Sequence, residues 1–81
     1  MSFAVYAEQP RVFSIRLKQA PLVPTLQQLA LAQNVNLIID DELQGTLSLQ
    51  LDNVDLDQLF RSVAKIKQLD LWQENGIYYL S

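Results

Sequence analysis

Gln44-Gly45-Thr46-Leu47-Ser48-Leu49-Gln50-Leu51-Asp52-Asn53-Val54-Asp55-Leu56-Asp57-Gln58-Leu59-Phe60 passes from strict two-residue alternation to helical spacing across one junction, and that switch decides the fold. Leu47, Leu49 and Leu51 fall on one face of a strand, while Thr46, Ser48 and Gln50 fall on the other, the pattern of a half-buried strand. Asp55 then opens a helix. Its carboxylate can accept from free backbone N–H groups of the first turn, Gln58 can reach back as in a capping box, and Val54 can staple onto Leu59.

Working outward, Phe13-Ser14-Ile15-Arg16-Leu17-Lys18 alternates in the same way and reads as a first strand with Phe13, Ile15 and Leu17 inward. Pro21 and Pro24 both suit the first turn of a helix whose apolar face is Leu22, Leu26, Leu29 and Ala30. Asn34 tolerates the left-handed backbone that closes helices, and the β-rich run Val35-Asn36-Leu37-Ile38-Ile39 follows directly. The second helix carries Leu56, Leu59, Phe60, Val63, Ala64 and Ile66 as its apolar stripe, with Lys65 and Lys67 near its negative end. Asn75-Gly76 is the sequence of a two-residue hairpin turn. The order is therefore βαββαββ, an α+β fold in which two helices pack against small mixed sheets.

The 81 residues, 49% of them apolar, suit one small domain with a single core. A net charge of −3 with six Lys and Arg counts against a surface built to grip phosphate backbones. The absence of cysteine removes disulfides and thiolate metal sites, and no run is long enough to span a bilayer as a helix. Residues 1–10 have two readings. Val5 and Ala7 suit the small-residue positions before a cut after Ala7, so the segment can be the end of a secretory signal; alternatively Phe3, Val5 and Tyr6 form a short strand or arm. Residues 11–81 make up the domain.

Lacking histidine and cysteine, the chain could base catalysis only on carboxylates, Lys, Ser or Tyr. Asp40, Asp41 and Glu42 read as a solvated turn, and no enzyme is expected. Asp52, Asp55 and Asp57 lack the glycine turn and terminal glutamate of a calcium loop, so capping explains Asp55 better. With Gly45 and Gly76 far apart, no phosphate-cradling loop can form, and no cofactor or metal is expected. The final hairpin would put Trp72, Ile77 and Tyr79 together on the face away from the core. That face is either covered within the domain or is a docking patch for a partner. Arg16 and Lys18 on the first strand and Arg61 and Lys65 on the second helix read as solubilising charges, with nucleic-acid contact as the other use.

Several segments together carry a resemblance: Phe13 to Lys18, Leu29-Ala30, Asn36-Leu37-Ile38-Ile39, Gly45-Thr46-Leu47-Ser48-Leu49, Asn53-Val54 and Asp57-Gln58-Leu59-Phe60. In their order and spacing, from Val12 to Ser81, the chain resembles the short N-terminal domain of secretins and TonB-dependent transducers. Within that group it is most similar to the secretins of type IV pilus and competence systems. Family members often carry glycine at both helix ends, where this chain has Asn34 and Gln68; a left-handed Gln68 would cost on the order of 1 kcal/mol. Leu56 stands where a tryptophan is common. The resemblance implies a non-enzymatic periplasmic module of an outer-membrane ring in a Gram-negative bacterium, serving DNA uptake or pilus passage. Its implied partners are an inner-membrane assembly protein and neighbouring secretin subunits, with DNA a partner of the full protein and no small-molecule substrate. A transducer signalling domain that binds an anti-sigma regulator, and a nucleic-acid-binding domain using Arg16, Lys18, Arg61 and Lys65, are the alternatives.

Overall fold

A computed structural model describes residues 12–81 of the chain, so both readings of residues 1–10 lie outside it. The elements are β1 (Phe13–Pro21), α1 (Leu22–Ala32), β2 (Asn36–Ile39), β3 (Thr46–Val54), α2 (Leu56–Lys67), β4 (Leu71–Glu74) and β5 (Ile77–Leu80), in the expected order βαββαββ. The strands form two sheets. β1 pairs antiparallel with β3, while β5 lies between β4, antiparallel to it, and β2, parallel to it.

The β1–β3 ribbon is longer than simple alternation predicts because each strand carries a bulge. Phe13 opposes Val54 and Ile15 opposes Leu51, so Asp52 and Asn53 together face Ser14; Asn53 takes φ 56° to make room. At the other end Leu17 opposes Leu49 and Ala20 opposes Leu47, leaving Lys18 and Gln19 across from Ser48. Gln19 has φ 52°, and its N–H donates to Ser48 Oγ at 2.8 Å, replacing a ladder bond that the bulge breaks. The extra residues reset the pleat, so Ala20 and Val54 are again half-buried although each is out of phase with the leucine before it.

α2 begins as its sequence requires. Gln58 N–H donates to Asp55 Oδ1 at 2.8 Å, and Asp55 N–H donates to Gln58 Oε1 at 3.0 Å, a complete capping box. α1 has no side-chain cap; Pro21 precedes it with φ −59°, and Leu22 N–H donates to the Gly45 carbonyl at 2.9 Å. Gly45 sits at φ 118°, where a side chain is disfavoured, and so brings the loop before β3 onto the start of α1.

Each helix touches both sheets, α1 meeting β1 and β2 and α2 meeting β3 and β4. The core at their junction consists of Leu22, Leu26 and Ala30 of α1, Leu56, Leu59, Phe60, Val63 and Ala64 of α2, Leu47 of β3 and Leu80 of β5. One residue assigned to the α2 stripe does not join it: Ile66 is 59% exposed. Gln68, at φ 59° and ψ 49°, turns the chain out of the helix, and Leu69 packs against the core after that turn. Asn34 is likewise left-handed, at φ 60°.

Candidate interaction surface

The exposed face of the three-stranded sheet is built from the hairpin outward. Asn75 at φ 53° and Gly76 at φ 78° make a turn with both central residues left-handed, which suits the twist of the strands it joins. The resulting register sets Trp72 opposite Tyr79 and Glu74 opposite Ile77, as the turn sequence implies. Tyr78 and Leu80 point to the core, where the Tyr78 ring meets Phe60 edge-on at 5.1 Å between centroids. On the other face Trp72 and Tyr79 stack with ring centroids 5.3 Å apart and planes within 5°. Trp72 remains 46% exposed, so within residues 12–81 the stack is not covered over.

Parallel pairing of β2 with β5 extends this face in a way the hairpin alone does not reveal. Ile38 opposes Tyr79 and Asn36 opposes Ile77. Ile38, Tyr79 and Trp72 therefore form one row across three strands, and Ile38 is 50% exposed. Its outward position is readable from the alternation in β2, but its neighbours are not, because they lie about forty residues further along the chain.

Behind the sheet, Asp57 joins α2 to β5. Tyr78 donates its hydroxyl to Asp57 Oδ1 at 2.6 Å, and Arg61 donates Nε–H to Oδ2 at 2.7 Å. These bonds, that of Arg61 foremost, hold the Asp57 carboxyl below its usual range. Partial burial, reinforced by Asp57, pushes the Tyr78 hydroxyl up to about 12. Asp55 and Asp57 are thus occupied by capping and by this network. Among the described residues no group of three or more acidic, His or Cys side chains could hold a metal ion, and no helix is long and apolar enough to cross a membrane.

The cations singled out in the sequence stand on two elements. Arg16 and Lys18 are exposed on β1, with Arg16 and Asp52 lining the same shallow depression of about 180 Å³, while Arg61 and Lys65 are exposed on α2. Arg61 is already paired with Asp57.

With the geometry established, the chain can be set beside known proteins. It is 52% identical over 69 residues to Competence protein E of Haemophilus influenzae, a match covering 85% of this chain and 16% of that protein. It is 32% identical over 73 residues to the DNA utilization protein HofQ of Escherichia coli, covering 90% of this chain and 18% of HofQ. The chain thus spans less than a fifth of either relative's length. No protein-family model matches it. Among solved structures, the N0 domain of the type II secretin from enterotoxigenic E. coli superposes with a TM-score of 0.71 at 17% identity, covering 89% of this chain and 96% of that one. XcpQN012 gives 0.68 at 20% identity, covering 91% of this chain and 37% of the other. A Parabacteroides distasonis protein assigned as an anti-sigma factor gives 0.72 at 13% identity, covering 84% of this chain and 33% of that one. The chain is therefore homologous to part of Competence protein E and part of HofQ, and its fold is that of a secretin N0 domain.

Proposed function

We propose that this chain is the periplasmic N-terminal domain of an outer-membrane secretin for DNA uptake or type IV pilus passage, and that it is a non-enzymatic assembly module. The observation that carries this reading is the 52% identity over 69 residues to Competence protein E, on a chain whose fold matches a secretin N0 domain. The Trp72, Ile77 and Tyr79 face is its docking surface for an inner-membrane assembly protein. A stacked Trp–Tyr pair left half in water is the kind of rigid aromatic anchor that dominates interfaces. The domain repeats around the ring with the other subunits, and the full protein sits in the outer membrane.

The test is to place Trp72→Ala with Tyr79→Ala in the full-length gene of the source bacterium, then measure transformation frequency and the amount of outer-membrane multimer. The expected result is a loss of transformation of about tenfold or more with multimer retained. Transformation at the parental level would remove the docking role. The transducer reading has in its favour the fold shared with the anti-sigma factor protein, but at 13% identity that likeness is one of fold alone.

A further inference from the structure

The groove along β2 carries an inference that does not rest on the secretin reading. Among the described residues β2 is the outer strand of its sheet, with β5 on one side, so its other row of backbone N–H and C=O groups is open to pairing. Beside that edge runs an apolar groove of about 410 Å³ lined by α1 residues Gln27, Ala30 and Leu31, by β2, and by Ile77 of β5. Leu31 is 79% exposed and Ile38 50%, one on the helix wall and one on the strand. A free strand edge beside a helix, with apolar footing for alternate side chains, is the geometry in which an extended peptide adds as a further strand.

Charge says what kind of peptide fits. α1 contains no ionisable residue, nor does β2. The acids Asp40, Asp41 and Glu42 directly follow β2, at its C-terminal end. All cations among the described residues belong to β1 and α2, and none lines the groove. At the opposite edge of the sheet, the depression beside β4 is lined by Arg61, Lys65 and Asp70 as well as Ala64, Leu69 and Leu71, so charge is mixed there.

We infer that the β2 edge is a docking site for an extended, basic segment of another protein, one that alternates apolar residues with Lys or Arg. Its backbone pairs with Asn36–Ile39, its apolar side chains enter the groove between Leu31 and Ile38, and its cations reach the carboxylates of Asp40, Asp41 and Glu42 at the end of β2. The partner strand needs only about four to six residues, since β2 itself is short.

The probe is a fluorescein-labelled eight-residue peptide alternating valine with lysine and threonine, titrated into the 81-residue chain. Two controls accompany it, one with glutamate in place of lysine and one N-methylated along the pairing edge. Binding should be about tenfold weaker for each control and should weaken severalfold between about 50 and 300 mM salt. Backbone amide shifts should concentrate in Asn36–Ile39 and Leu31. Ile38→Lys should abolish the binding with the circular dichroism spectrum retained, and if that variant does not fold, Leu31→Lys on the exposed helix wall makes the same test. Equal binding of the acidic and basic peptides, or shifts centred on β1 and β3, would overturn the inference. So would protected outward amides of β2 before peptide is added. Protection that grows with protein concentration would assign the edge to a second copy, and protection independent of it to the chain's own N-terminal segment.

Discussion

Gln68 and Tyr78 show how single residues set the stability of this domain. Gln68 holds the left-handed end of α2 without being glycine, a conformation that crowds its Cβ. Gln68→Gly is expected to stabilise the fold by about 0.5–1 kcal/mol, glycine's larger unfolded-state entropy offsetting part of the relief; urea denaturation measures it. Tyr78 gives a pH signature. Its folded value of about 12 exceeds the ordinary 10, so its contribution is complete below pH 10 and is lost as pH rises towards 12. Asp57 has the opposite sign: its folded value is lowered from 3.8, so its contribution is complete above that pH and disappears as pH falls through the folded value. Tyr78→Phe should lower stability at neutral pH by about 1 kcal/mol and flatten the decline on the alkaline side. An alkaline melting profile unchanged by the substitution would refute the link.

At the scale of elements, the junction between β3 and α2 combines a bulge, a turn and a cap within a few residues. Asn53 resets the pleat, Val54 returns inward and Asp55 caps the helix with Gln58. Asp55→Ala removes an acceptor from the first turn and should cost about 1–2 kcal/mol, read as a lower urea midpoint with unchanged m-value. The elements were legible because capping, turn and alternation signals are local: Asp55 with Gln58, Asn75 with Gly76, and Leu47 with Leu49 and Leu51 all act within a few residues. The bulges at Gln19 and Asn53 were not legible: Gln gives no left-handed signal, and Asn, which tolerates that backbone, does not by itself mark a bulge within a strand. Each is held there by pairing with a distant strand. Ile66 was misassigned for a related reason, because the helix stripe ends where Gln68 turns the chain and Leu69 takes its place.

At the scale of the molecule, charge among the described residues is segregated: the cations lie on β1 and α2, and the elements around the apolar sheet face carry acids alone. Arg16, Lys18, Arg61 and Lys65 therefore do not form a concentrated field, and Arg61 is engaged by Asp57. Fluorescence anisotropy with labelled double-stranded DNA should show no binding tighter than about 100 μM near physiological salt, and a tighter, steeply salt-dependent complex would revive the nucleic-acid reading. Sequence by itself determined the element order, the capped helix, the hairpin register and the Trp72–Tyr79 pairing, because each follows from energies between residues close along the chain. Only tertiary structure decided that β2 runs parallel to β5 and is an outer strand among the described residues, that Ile38 continues the aromatic row, and that Leu31 and Ile38 flank one groove. The β2–β5 pairing joins segments about forty residues apart, and Leu31 and Ile38, close in sequence, are brought to one groove by how α1 packs against that sheet; both depend on how two helices and two sheets share a single core.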